Sequence, residues 1–278
     1  MKTLIGKIST YFVLIAFCFV IIYPLIWLLF ATFKDNSEIF SSLQLLPKKF
    51  IWDSYTKGWA GSGQYNFGNF FINTLWLVVP TVIFTVLSSV LVAYGFARFR
   101  FPMKKTLFAI MISTLMLPNA VLVIPRYIMF KNLGWIDSYL PFIVPAAFAC
   151  YPFFIFMMIQ FIRSLPRELD ESAYMDGCHS FSILFRILLP LSKPALFSVG
   201  LFQFIWTWND FFDSLIYINS VKHYTLALGL RMSIDVSGLV SWNQVMAMAI
   251  VTIFPCILIF FFAQKYFVEG IATTGLKG

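Results

Sequence analysis

The chain has 278 residues, of which 60% are hydrophobic and 12% charged, and a mean hydropathy of +0.84. A water-soluble domain carries about twice that share of charge. With 34 Phe, 8 Trp and 12 Tyr, it also has more apolar surface than a chain this size could hide from water. An ordinary cytosolic enzyme is excluded. The four cysteines (Cys18, Cys150, Cys178, Cys256) show no CxxC or CxxH spacing, and three lie in apolar runs. They read as small packing residues rather than a disulfide frame or a metal site. The composition is that of a membrane protein.

A helix needs about 20 apolar residues to cross ~30 Å of hydrocarbon, so uncharged runs locate the spans. The first covers residues 8–33. It is too long for a signal-peptide core and no A-x-A-like site follows, so it reads as a retained span. After a loop over 34–69 the second covers 70–96, and the third, 106–127, is interrupted by Pro118 and Pro125. The fourth is 138–162, the fifth 194–218 and the sixth 245–266. The expected fold is all-α, a single six-helix membrane domain over 1–278. If both termini are cytoplasmic, 12 of the 20 lysines and arginines fall on the inner side and 8 outside, which satisfies the positive-inside rule. Topology then accounts for the net charge of +8, and nucleic-acid binding has no need to be invoked.

Three segments depart from plain hydrophobicity. The connection 163–193 is far longer than the usual helix–helix link of 2–8 residues. In it Pro166 suits a first helical position, Glu168, Asp170 and Glu171 fill the first turns, and Gly177 suits a helix end. Leu165, Leu169, Ser172/Ala173 and Met175 recur at helical spacing, giving an apolar face with the acids pointing elsewhere. A second short helix, about 180–189, closes at Pro190. The pair reads either as a docking element for another protein or as a solvated interfacial loop. In the fifth span Gln203, Trp206, Asp210 and Asp213 fall on one helical face. Such a face lines a polar path, where Trp206 offers an aromatic surface to a solute, or it anchors the helix at the interface. In the third span Pro118 and Pro125 mark a hinge or a static kink.

Absences also bear on function. There is no G-x-x-x-x-G-K-[ST] phosphate loop, so the chain itself is not expected to bind ATP. His179 and His223 are far apart, and no catalytic or metal site is expected. No carboxylate or lysine lies deep in a span, as a proton or sodium relay would require.

Glu171-Ser172-Ala173, with Gly177 four residues beyond the alanine and then Ile187-Leu188-Leu189-Pro190, resembles the EAA loop of ABC importer permeases, with Ser172 replacing the middle alanine. The resemblance extends over nearly the whole chain and points to the maltose-type carbohydrate branch. It is carried by Asn73-Thr74-Leu75, Ala93-Tyr94-Gly95-Phe96-Ala97-Arg98, Met116-Leu117-Pro118, Trp208-Asn209-Asp210 and Tyr224-Thr225-Leu226. The tail from Phe267-Val268-Glu269-Gly270 to Gly275-Leu276-Lys277-Gly278 is similar to the end of the smaller permease subunit.

The resemblance implies an importer that takes a sugar or oligosaccharide from an extracytoplasmic solute-binding protein across the bacterial inner membrane. It implies a second, related permease and two ATP-binding subunits that hold the ATP and Mg, leaving this chain without a cofactor. The ATPase-coupling residues would be Glu168, Glu171, Ser172, Ala173, Asp176, Gly177 and Pro190, with tail contacts from Gly270, Gly275, Lys277 and Gly278. Gln203, Trp206, Asn209, Asp210 and Asp213 would line the translocation path, and the loops 34–69 and 219–243 would meet the binding protein. A permease for a phosphorylated polyol or a peptide, or a stand-alone carrier or channel, are the alternatives.

Overall fold

The computed structural model describes residues 2–41, 44–61, 63–235 and 240–274. Among them every regular element is helical. The long helices are α1 (Lys2–Ala31) and α4 (Phe67–Arg98), with the short α2 (Asn36–Ser41) and α3 (Asp53–Ala60) between them. Next come α5 (Lys104–Leu115), α6 (Asn119–Asn132), α7 (Leu140–Ala147), α8 (Pro152–Ser164), α9 (Glu168–Met175) and α10 (Ser180–Ile183). α10 runs through a π-turn, Leu184–Leu188, into α11 (Leu189–Leu191). The remainder is α12 (Lys193–Trp208), α13 (Phe212–Tyr217), α14 (Leu226–Asp235) and α15 (Trp242–Thr274).

Among the described residues four segments are long and apolar enough to cross a membrane: Gly6–Ala31, Phe67–Arg98, Leu140–Ser164 and Trp242–Gln264. Two bent pairs raise the number to six if each is one span. They are α5 with α6, bent by 103°, and Ser180–Leu191 with α12, bent by 78°. The first bend falls at Met116–Pro118, since Pro118 has no N–H to continue α5 and takes an extended conformation (ψ 133°). Pro125 lies inside α6. The π-turn before Pro190 has the same cause: the proline nitrogen has no proton to offer the carbonyl of Arg186, and the helix widens there.

The chain divides into two compact units. The first comprises Met1–Phe70 and Leu228–Pro255. There Lys34 is fully buried, its Nζ donating to the carbonyl of Gln44 and standing 6.0 Å from the Trp27 ring. Asn36 pairs with the 240–242 backbone, donating to Val240 O (3.0 Å) and accepting from Trp242 N–H (2.7 Å). The second unit comprises Phe71–Ala227 and Cys256–Gly278. Its core joins the Arg98 end of α4 (Val90, Ala93, Tyr94, Ala97) to α8 (Phe154, Met158, Ile159, Ile162). Ala173 of α9, Ile183, Leu184, Leu188 and, from α12, Ala195 and Val199 complete it. α9 thus enters the apolar core through Ala173 alone; Asp170 is its other buried residue, and most of the helix faces outward.

Candidate functional site

α9 ends on a Schellman turn. Gly177 N–H donates to Tyr174 O (3.0 Å) and Cys178 N–H to Ala173 O (2.9 Å), with Gly177 at φ +79°. A side chain at Gly177 would meet nothing within 4 Å, so glycine is required there by its left-handed backbone. Asp176 is the last residue before it, exposed, and Ser172 Oγ bonds back to Leu169 O at 3.2 Å. Glu168, Glu171 and Ser172 face solvent, and Met175 is 88% exposed. The amphipathic division therefore differs from the one expected from spacing. Met175 lies outside the buried stripe, whereas Asp170, an acid expected to point away, is buried beside Ala173.

The reason is Arg98. Its Nε stands 2.7 Å from Asp170 Oδ2, and its Nη2 donates to Leu165 O (3.1 Å) and Pro166 O (3.4 Å). One guanidinium at the end of α4 thus grips the end of α8, the connecting proline and the first turn of α9. Burial pushes the Asp170 carboxyl above its ordinary value, outweighing the pull of Arg98 and Arg167 in the other direction. One turn back along α4, Tyr94 donates to Ser180 O (3.1 Å), and Tyr174 meets Ser180 Oγ at 2.9 Å. Tyr94, Arg98, Asp170, Glu171 and Tyr174 border a cavity of about 160 Å³ at this junction.

A second, larger cavity of about 720 Å³ lies among α5, α6, α7, α8, α12 and α13. Gln203, Trp206, Asp210 and Asp213 all line it, together with Thr207, Arg126, Asn119, Tyr151 and Phe153. The four do not share one continuous helix, because α12 stops at Trp208. Asp210 then caps α13: Oδ1 accepts from Asp213 N–H (3.3 Å), and Oδ2 from Ser214 N–H (2.9 Å) and Ser214 Oγ (3.1 Å). Gln203 is 3% exposed and donates to Thr207 Oγ1 at 2.7 Å. Asn209 is not brought to the cavity; its side chain turns back to Ile205 O (2.8 Å). Neither Pro118 nor Pro125 borders the cavity, although Leu117 and Asn119, on either side of the α5–α6 break, both do.

A third constellation had no counterpart in the sequence reading. Asp137, itself at φ +62°, accepts from Asn219 N–H (3.0 Å), Ser220 N–H (2.7 Å) and Ser220 Oγ, with His223 Nδ1 at 3.6 Å. Burial opposes ionisation there, but the bonds from Ser220 and Asn219 outweigh it and hold the carboxyl at about 2. The same loop is tied to the Phe67 end of α4. Asn73 Nδ2 donates to Lys222 O (2.7 Å) and Tyr224 O (3.0 Å), and Leu226 N–H donates to Thr74 Oγ1 (2.8 Å).

Residues 86–273 match the family of the binding-protein-dependent transport system inner membrane component. The chain belongs to this family. Among curated proteins it is similar to the probable ABC transporter permease protein YurM of Bacillus subtilis, 32% identical over all of this chain and 91% of the relative. The arabinooligosaccharides transport system permease protein AraQ of the same organism is 34% identical over 92% of this chain and 91% of its own. Among solved structures, a chain of a bacterial ABC transporter involved in the import of the acidic polysaccharide alginate superposes with a TM-score of 0.84. It covers 96% of this chain and 98% of that one at 22% identity, a likeness of fold.

As a binding-protein-dependent permease, the chain is a multi-pass component of the bacterial inner membrane and a transport subunit rather than an enzyme. It works in a complex with ATP-binding and solute-binding partners. Gly270 falls in α15, while Gly275, Lys277 and Gly278 lie outside the described residues. Among the described residues no cluster of His, Cys, Asp and Glu could hold a metal ion. Arg98 and Met175 were not singled out from sequence as site residues. Arg98 stood in the A-Y-G-F-A-R motif, whose partner no spacing reveals. The exposure of Met175 follows from the Asp170 and Ala173 positions rather than from hydropathy.

Proposed function

We propose that the chain is one of two related permeases in an importer for a sugar or oligosaccharide, with two ATP-binding subunits, one of them docked on α9. ATP and Mg belong to those subunits. The observation that carries the docking reading is α9 itself, an eight-residue helix held at one buried stripe while Glu168, Glu171, Ser172 and Met175 are left to a partner. Glu171 would supply a charge-assisted contact to a basic group on the ATPase. Both termini would be cytoplasmic, with the tail through Gly275, Lys277 and Gly278 reaching the ATPases. The loops 34–69 and 219–243 would meet the binding protein on the other side.

The larger cavity would form this chain's wall of the translocation path. Trp206, half exposed and flanked by Phe153 at 5.2 Å, offers an aromatic face suited to a sugar ring. Thr207, Asn119 and Tyr151 add polar groups. Two carboxylates against one guanidinium, Asp210 and Asp213 against Arg126, give no positive surplus to draw an anion. That favours a neutral sugar over a phosphorylated polyol. The break at Pro118 would let α5 and α6 shift around the solute. Uptake into proteoliposomes bearing the complete complex tests the reading with arabinotriose, glycerol 3-phosphate and a tripeptide. ATP-dependent accumulation of the sugar alone is expected; accumulation of the phosphate or the peptide instead would overturn the solute assignment.

A further inference from the structure

α4 is clasped at both ends. At Arg98 the guanidinium binds Asp170, Leu165 O and Pro166 O, and Tyr94 adds a bond to Ser180 O. At Asn73 and Thr74 the same helix takes Lys222 O, Tyr224 O and Leu226 N–H. The A-Y-G-F-A-R motif is thus one half of a clasp with the α9 loop, and N-T-L is one half of another with Y-T-L. Between Asn73 and Arg98 an α-helix rises about 37 Å, enough to cross the hydrocarbon in one piece.

Resting on the reading of α9 as the ATPase contact, we infer that α4 is a transmission rod that makes α9 and the 222–226 loop move together, with Arg98 as the positioning residue that locks α9 to it. The guanidinium is suited to this. It is buried, with 7% of its side chain exposed, and its planar fork holds three points along the α8–α9 junction, which a lysine ammonium could not do with the same geometry. Ala93 and Ala97, fully or nearly buried, bring the α4 backbone close to the core beneath α9. A displacement of α9 therefore reaches a loop whose other contacts, to Asp137, are equally fixed.

The test uses the complete complex in nanodiscs, with spin labels at Met175→Cys and Lys222→Cys in a chain whose native cysteines are replaced by serine. Their separation is measured by pulsed electron resonance, nucleotide-free and after trapping with ATP and vanadate. The expected result is an unchanged distance in the parent chain. With Arg98→Ala the distance should shift or broaden on trapping, and with Arg98→Lys the effect should be smaller. Asp170→Asn gives a second, milder variant that decides the matter if Arg98→Ala does not assemble. A distance that changes on trapping in the parent, or that stays fixed in every variant, overturns the rod. A photo-crosslinker at Met175 reports separately on docking: no ATPase adduct there sinks the α9 reading, whereas adducts in all variants with invariant distances sink only the rod.

Discussion

Arg98 Nε lies 2.7 Å from Asp170 Oδ2, an ion pair in which neither side chain is more than 12% exposed. It ties the last residue of a 32-residue helix to the surface helix that carries the E-S-A residues. Removing one member of a buried pair leaves an uncompensated charge, at a cost of about 3–5 kcal/mol. Arg98→Ala should therefore lower the melting temperature of the purified chain in detergent. Replacing both, as in Arg98→Met with Asp170→Leu, should recover most of that loss, because an apolar pair carries no desolvation penalty. Recovery of stability without recovery of nucleotide-driven movement would separate packing from transmission.

The pH dependence of this pair has a definite sign. The folded-state pKa of Asp170 is raised, so its contribution to stability is fully present below the unfolded value of 3.8 and is lost as pH rises through the folded value. Comparing melting temperatures of the parent and Asp170→Asn over pH 7 to 4, a window of about three units, should show the parent gaining relative to the variant on acidification.

Asp137 behaves in the opposite sense. Its folded pKa of about 2 is below the unfolded value, so its stabilisation is present above 3.8 and is lost as pH falls toward 2. Water reaches about a third of this side chain, and after discounting for screening Asp137→Asn should cost about 1 kcal/mol at neutral pH. Asp137→Ala should cost more, about 2 kcal/mol, because the residue sits at φ +62°, where Asn and Asp are tolerated and alanine is strained. Thermal scans at pH 7 and pH 3 check both.

Glycine positions divide by cause. A methyl at Gly229 would stand 2.2 Å from Cδ2 of the buried Phe70 ring, so Gly229→Ala should destabilise by about 1–3 kcal/mol and be partly rescued by Phe70→Leu. At Gly177 there is open space and only the backbone objects. Gly177→Ala should cost about 1 kcal/mol and Gly177→Asn less. Melting temperatures of the four variants distinguish a steric glycine from a conformational one.

The all-helical class was legible because a bilayer allows few charges in a span, so uncharged runs mark helices. The helix end at Gly177 was legible for a local reason, the left-handed residue of a C-terminal turn. Spacing misled where a helix stopped early. The positions of Gln203, Trp206, Asp210 and Asp213 imply one face, yet α12 ends at Trp208 and Asp210 is spent capping α13. They meet only because a cavity gathers them, and Asn209, between them in sequence, is left out. Asp170 was read as a surface acid because nothing local distinguishes an exposed carboxylate from one whose partner, Arg98, comes from another helix. The same is true of Asp137 and the 219–223 loop. Long-range polar pairs are decided by tertiary placement, which local periodicity does not encode.

Coupling through α9 is tested most directly by comparing ATP hydrolysis with arabinotriose uptake in proteoliposomes, for the complete complex with the parent chain and with Glu171→Arg. The variant is expected either to lose its ATP-binding subunits or to hydrolyse ATP without moving sugar. Uptake by this chain alone, without ATP and unchanged by the substitution, would contradict that coupling.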